Sequence, residues 1–228
     1  MAKKLAMIHT VASLPHILEA LSREIMPEVE VFHIVDESLL RNTIRWGKLV
    51  PQTYRRLCGY VVSAQEGGAD AILVTCSSIG PIVDVARYLA DVPVLRIDEA
   101  MADRAVEIGR IIGVIATLPT TLVPTTELVK TRAAQAGRTV EVRSVLCEGA
   151  FETVTSGDTI THDRIVGEKL RDLMRQVDVV VLAQASMARV ADALPQEEVK
   201  VPILSSPRLG LQRARQVLLG GSAAVAQV

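Results

Sequence analysis

The stretch "ILVTCSSIGP", residues 72–81, runs β-branched and apolar residues straight into a cysteine, two serines and a glycine. The run reads as a strand, and the residues from Ser78 onward read as a helix start, with Pro81 tolerated in the first turn. Unpaired backbone N–H groups and the helix dipole stabilise a thiolate at such a place. Cys76 is therefore expected to have a pKa lowered towards neutrality and to act as an acid, a base or a nucleophile. Ser77, Ser78 and the free amides around them suit a carboxylate. The other two cysteines lack this setting: Cys58 lies inside a helical pattern and Cys147 ends a strand without polar companions, so both read as packing residues.

Three further places carry side chains with chemistry in them. His9 ends an apolar run beside Thr10 and is a candidate partner for Cys76, although a histidine at a strand end is commonly structural. The segment "VDESLLRNTIRWGKLVPQTYRRL", residues 35–57, is long for a strand-to-helix connection and is expected to be a loop over the ligand site. In it Arg41 and Arg45 are candidate carboxylate forks and Trp46 a cover for an apolar group, against the plainer alternative of a solvated surface loop. "THDR" at 161–164 reads as a helix start in which Thr161 or Asp163 caps, which leaves His162 structural.

These residues are positioned by a repeating pattern. "LAMIHT", "VEVFHIV", "AILVTC", "VPVLRI", "IIGVIAT", "VEVRSVLC", "VDVVVLA" and "VPILSS" read as strands. "PHILEALSREIM", "TYRRLCGYVVSAQEGG", "DEAMADRAVEIG", "TTELVKTRAAQAG" and "THDRIVGEKLRDLMRQ" read as helices, their apolar residues spaced by three and four. Gly67, Gly68 and Gly137 stand where helices end, and "SPRLGLQRARQVLLGG" at 206–221 reads as a final amphipathic helix. Strands this apolar on both faces belong to parallel sheets covered on both sides.

The pattern also repeats at long range. "ADAILVTCSSI" (69–79) aligns with "VDVVVLAQASM" (177–187), so that Asp70 falls on Asp178 and Cys76 on Gln184. "MIHTVASLP" (7–15) aligns with "VIATLPT" (114–120), with Thr10 over Thr117. The two pairs share an offset of about a hundred residues, which points to two related α/β halves. Ligands of open parallel sheets bind beyond the carboxyl ends of the strands. That rule gathers "HTVAS", "TCSS", "ATLPTT" and "AQAS" around one expected cleft.

Composition removes several classes of function. The 228 residues are 49% hydrophobic and 22% charged with a net charge of −1, and the basic residues are scattered among carboxylates, so no nucleic-acid face is expected. No apolar run reaches the ~18–20 residues a membrane span needs. Three cysteines without metal spacing argue against both a disulfide framework and a metal site, and for a cytoplasmic location.

"VTCSSIG" after a strand, "GVIATLPTT" opening a second half, and a duplication of this length resemble the aspartate/glutamate/hydantoin racemase superfamily over nearly the whole chain. The resemblance implies two flavodoxin-like α/β lobes related by pseudo-twofold symmetry, with the active site in the cleft between them. The expected boundaries are 1–98 plus 206–228 for one lobe and 99–205 for the other. It further implies a cofactor-independent enzyme, a homodimer or higher homo-oligomer, acting on the carbon next to a carboxylate or carbonyl of a small acid.

In that family each half supplies a cysteine, one removing a proton and the other returning it. Cys76 takes the first position, with Ser77 and Ser78 as carboxylate-holding residues and Thr117, Thr120 and Thr121 as the second-half threonine cluster. Thr10 and His9 line the same expected site, and Gln184 stands where the second cysteine would be. An amide neither accepts nor releases a proton at useful pH, so symmetric two-base racemisation is not expected. An isomerase working through Cys76, a decarboxylase with one cysteine as proton donor, and a non-catalytic carboxylate-binding relative remain as alternatives.

Overall fold

The computed structural model describes residues 2–220. Its inner strands form where the apolar runs are continuous, as in AILV, IIGVIA and VVVL. β1 (Lys4–His9), β2 (Glu30–Val35), β3 (Ala71–Val74) and β4 (Val94–Arg96) make one parallel sheet in the order β2-β1-β3-β4. β5 (Ile111–Ala116), β6 (Glu141–Leu146), β7 (Val179–Leu182) and β8 (Ile203–Ser205) make a second, parallel throughout, in the order β6-β5-β7-β8. The strand order is the same in both. The chain divides into two compact units at Ile97 and Asp98, and it returns to the first unit at Pro207.

In the first unit alternate residues of each strand feed opposite cores. Ala6 and Ile8 of β1 pack with Ile72, Val74 and Val94 beneath α2 (Glu37–Trp46), α3 (Pro51–Glu66) and α4 (Ile82–Ala86). Leu5 and Met7 pack with Ala71, Leu73 and Ile97 beneath α1 (Leu14–Ile25) and α10 (Ser206–Leu219). Each fully buried Leu, Ile or Val there contributes about 1.5–3 kcal/mol of transfer free energy. The second unit carries α5 (Glu99–Ile108), α6 (Pro119–Gln135), α7 (Ala150–Thr155), α8 (Thr159–Met174) and α9 (Ala188–Asp192). There Val166, Leu170 and Leu173 of α8 pack against Ile115, Val180 and Leu182.

Equivalent aspartates each staple their own sheet at its starting edge. Asp70, just before β3, accepts the backbone N–H of Lys4 at 2.8 Å. Asp178, just before β7, accepts those of Arg110 and Ile111 at 2.9 and 2.8 Å. Gly68 and Gly137 take φ of +89° and +63° past the ends of α3 and α6, where a side chain would be strained.

Two expectations are corrected. Residues 35–57 are not a loop: α2 and the first turns of α3 fill them. Asp36 caps α2 by accepting from Ser38 N at 3.0 Å, and it is tied to Arg56 at 2.6 Å and to the Tyr60 hydroxyl at 2.9 Å. Arg41 pairs with Glu37 on the same helix, and the Arg45 guanidinium lies 5.6 Å from the Trp46 ring centre. Likewise the cap of α8 is Asp158, which accepts from Thr161 N at 3.0 Å, rather than Thr161 or Asp163. Residues 1 and 221–228 of the expected lobe, including the last residue of the expected final helix, lie outside the described residues. Among the described residues no helix is long and apolar enough to cross a membrane.

Candidate functional site

Strand register places the reactive residues. β1 and β3 pair with Ile8 opposite Val74, so two residues further on Thr10 stands level with Cys76, and His9 with Thr75. Alternation then sends the two pairs to opposite faces. Cys76 packs against the core that holds Ile8 and Val74. His9 turns to the other side.

Beyond Cys76 the backbone does not enter a long helix. Ser77–Ile79 form one 3-10 turn with Cys76 at its cap position, and α4 follows as five residues. Ser77 and Ser78 are buried, and Cys76 is partly exposed. The surroundings push the thiol in two directions. Burial raises its pKa, while the Thr10 hydroxyl, the N–H groups of Ser78 and Ile79 and the Ser78 hydroxyl favour the anion. Thr10 Oγ1 makes no well-formed hydrogen bond, yet it stands close enough to the sulfur to count among these donors. Burial outweighs them all, so the pKa is raised and not lowered as the sequence suggested. A single short turn supplies too little dipole to reverse it.

His9 is not brought to the thiol. Its Nδ1 lies 2.9 Å from Thr75 Oγ1 and its Nε2 lies 2.9 Å from His33 Nδ1. Burial, with His33 adding to it, lowers its pKa to about 4, so the ring is neutral at physiological pH. The direction of each bond follows. Thr75 has one hydroxyl proton, given to the Ile8 carbonyl at 3.0 Å, so His9 Nδ1–H donates to Thr75 Oγ1. Nε2 of His9 then accepts from His33 Nδ1–H. His33 Nε2 is left as a buried acceptor without a hydrogen-bond partner in the protein. Thr75 and His33 escaped the sequence reading, although the alternation of β1 and β3 was the signal that pairs Thr75 with His9.

The second unit repeats the arrangement with a different side chain. β5 and β7 pair with Ile115 opposite Leu182, which sets Thr117 level with Gln184. Gln184 Oε1 accepts both the Thr117 backbone N–H at 2.6 Å and the Thr117 hydroxyl at 3.0 Å. Gln184 is also followed by a 3-10 turn, Ala185–Met187. Thr120 and Thr121 fall in the first turn of α6, behind Pro119. Thr121 is buried, and the Thr120 hydroxyl oxygen is buried without a protein partner.

Other titratable groups are absorbed by structure. Cys147 is buried and its thiol is pushed up to about 11, while burial also raises Cys58. His162 is buried with Nδ1 2.7 Å from Asp163, which Arg189 also engages at 2.6 Å. Among the described residues no group of three or more His, Cys, Asp or Glu side chains is placed to hold a metal ion.

The same fold occurs in proteins of low sequence identity. Glutamate racemase from Francisella tularensis matches with a TM-score of 0.75 and 14% identity, over 96% of this chain and 81% of that one. Allantoin racemase from Klebsiella pneumoniae matches with a TM-score of 0.68 and 18% identity, over 97% and 90%. Arylmalonate decarboxylase matches with a TM-score of 0.57 and 16% identity, over 99% and 97%. No curated protein matches the sequence at a significant level. The Asp/Glu/Hydantoin racemase family matches residues 9–214, taking in both threonine turns, Cys76 and Gln184, and the chain belongs to that family.

Proposed function

We propose that the protein is a cofactor-independent isomerase in which the Cys76 thiol moves a proton at the carbon next to a carboxylate or carbonyl of a small acid. The observation that carries this is the setting of Cys76: a residue of intermediate exposure whose sulfur has the Thr10 hydroxyl and the Ser78 and Ile79 N–H groups directed at it. Those donors hold the anion that remains once the thiol has given up its proton. Ser77, Ser78 and the threonines at 10, 120 and 121 are the proposed oxygen-binding groups, while Thr117 has both its donors on Gln184. The aromatic content of 3% favours a small polar acid over a large aromatic one. In the isomerase reaction the thiolate takes the proton from the carbon, the electron pair moves into an enediolate, and the same thiol returns the proton at the conjugated position.

Decarboxylation is the second reading, and two observations favour it. Burial keeps the thiol protonated at rest, and the position equivalent to Cys76 carries an amide already engaged by Thr117. One protonated thiol suffices there: the carbon–carbon bond breaks, carbon dioxide leaves, and the enediolate takes its proton from sulfur. Arylmalonate decarboxylase shares the fold.

The test is NMR of a panel of small acids in deuterated water, with the native protein and Cys76→Ser side by side. Deuterium at the carbon to which the thiol returns the proton, with the carboxyl retained, supports isomerisation, and product lacking the carboxyl supports decarboxylation. If no acid in a broad panel changes in a Cys76-dependent way, both enzyme readings fail and a binding role takes their place.

A further inference from the structure

Arg96 ends β4 and is only 6% exposed. Burying a guanidinium is unfavourable unless its surroundings are built for it. Val94, two residues earlier, faces the core shared with Ile79, Ile82 and Val83, and alternation turns Arg96 to the same side. What it meets there is Gly80. A Cβ on Gly80 would lie 2.6 Å from both Cζ and Nη2 of Arg96 and 2.7 Å from Nε. Near-equal distances to three atoms of one plane mean that the glycine meets the flat of the guanidinium and not a single N–H tip.

Gly80 has φ of −50°, which any residue adopts, so the glycine is required by space and not by backbone conformation. Its peptide is also a junction. Gly80 N–H donates to Ser77 O at 3.1 Å, closing the 3-10 turn, and Gly80 O accepts from Val83 N at 2.9 Å, opening α4. The turn closed in this way is the one whose Ser78 and Ile79 N–H groups are directed at the Cys76 sulfur.

We propose that Arg96 is a positioning residue for Cys76: its guanidinium lies flat on Gly80 and fixes the turn that aims backbone donors at the thiol. This deepens the proposed function and rests on Cys76 being its reactive group. A change at either partner shifts Gly80, and the donors at 78 and 79 shift with it.

The test follows iodoacetamide labelling of Cys76 against pH by mass spectrometry, with circular dichroism to verify folding. Arg96→Met and Gly80→Ala are expected to move the labelling midpoint up by about one pH unit, as lost N–H donors destabilise the thiolate. Arg96→Lys keeps the charge but not the flat face, and it is expected to shift as far as Arg96→Met. Gly80→Ala retains Arg96 and an ordinary backbone, so it decides the matter if Arg96→Met does not fold. Native profiles in the folded variants, or a native profile in Arg96→Lys alone, would overturn the proposal. Labelling needs no substrate, so an acid panel in which nothing turns over would sink the functional reading and leave this result standing.

Discussion

Thr117 gives both its backbone N–H and its hydroxyl to Oε1 of Gln184, at 2.6 and 3.0 Å, in the register position where the first unit sets Thr10 beside Cys76. The amide oxygen thereby takes up the donors that an anion would otherwise claim. Gln184→Ala removes that acceptor and leaves a buried N–H unpaired, a loss of about 1–3 kcal/mol. Gln184→Glu keeps an oxygen in place and is expected to recover most of it. Urea unfolding of the three proteins measures this, and a native midpoint in Gln184→Ala would show that the pair contributes nothing.

The raised thiol pKa separates the two enzyme readings by their pH dependence. Isomerisation begins with the thiolate, so its rate is expected to climb about tenfold per pH unit from pH 6 to 8, where the thiolate is the minor form. Decarboxylation ends with proton donation from the thiol, so its rate is expected to be level over that range and to fall only where the thiol ionises. Turnover of whichever acid proves active, measured across that range, distinguishes them.

The fold was legible because the central strands β1, β3, β5 and β7 are apolar runs buried on both faces, and the Asp70 and Asp178 alignment marked equivalent staples. Helix α2 was hidden because Glu37, Arg41, Arg45 and exposed Trp46 resemble a loop, although Asp36 ahead of Leu39 and Thr43 was a capping signal. The first turn of α6 was hidden by Pro119 and Pro124, which read as breakers although Pro119 suits a first turn and packing carries the helix past Pro124. At the site, Cys76 and its turn were legible but the direction of its pKa was not, since that depends on how deeply neighbours bury the sulfur. The face taken by His9 was recoverable from alternation alone. The clasp of Arg96 on Gly80 joins residues that no local pattern connects.

His9 makes stability depend on pH. Its folded pKa of about 4 lies below the ordinary histidine value of 6.5, so between those values the unfolded chain binds a proton that the folded chain refuses. Stability contributed by the neutral ring is present above pH 6.5 and is lost as pH falls through about 4, a change of about 3 kcal/mol. His9→Gln is expected to flatten most of that slope while lowering stability at pH 7, because the bonds to Thr75 and His33 are altered. Urea midpoints at half-unit steps from pH 7 to 4.5 give the comparison. Equal slopes in the two proteins would assign the acid sensitivity to other groups.

Two glycines give opposite stability predictions from the same substitution. Gly59 lies in the middle of α3 on its exposed side, and a Cβ there meets nothing within 4 Å. Gly59→Ala is therefore expected to stabilise the protein by about 0.5–1 kcal/mol, through the reduced backbone freedom of the unfolded chain and alanine's better helix propensity. Gly210 lies in α10, where a Cβ would stand 2.6 Å from the Ile97 carbonyl oxygen and 2.7 Å from Ile97 Cγ1. That carbonyl belongs to the backbone and cannot swing aside as a flexible side chain does, so α10 must lift off the end of the sheet and disturb the contacts of Leu211 and Ala214. Gly210→Ala is expected to lower stability by about 2–3 kcal/mol, towards the upper end for overpacking. Thermal unfolding of both variants reads the sign directly, and a Gly210→Ala protein as stable as the native one would mean that α10 does not pack this closely on Ile97.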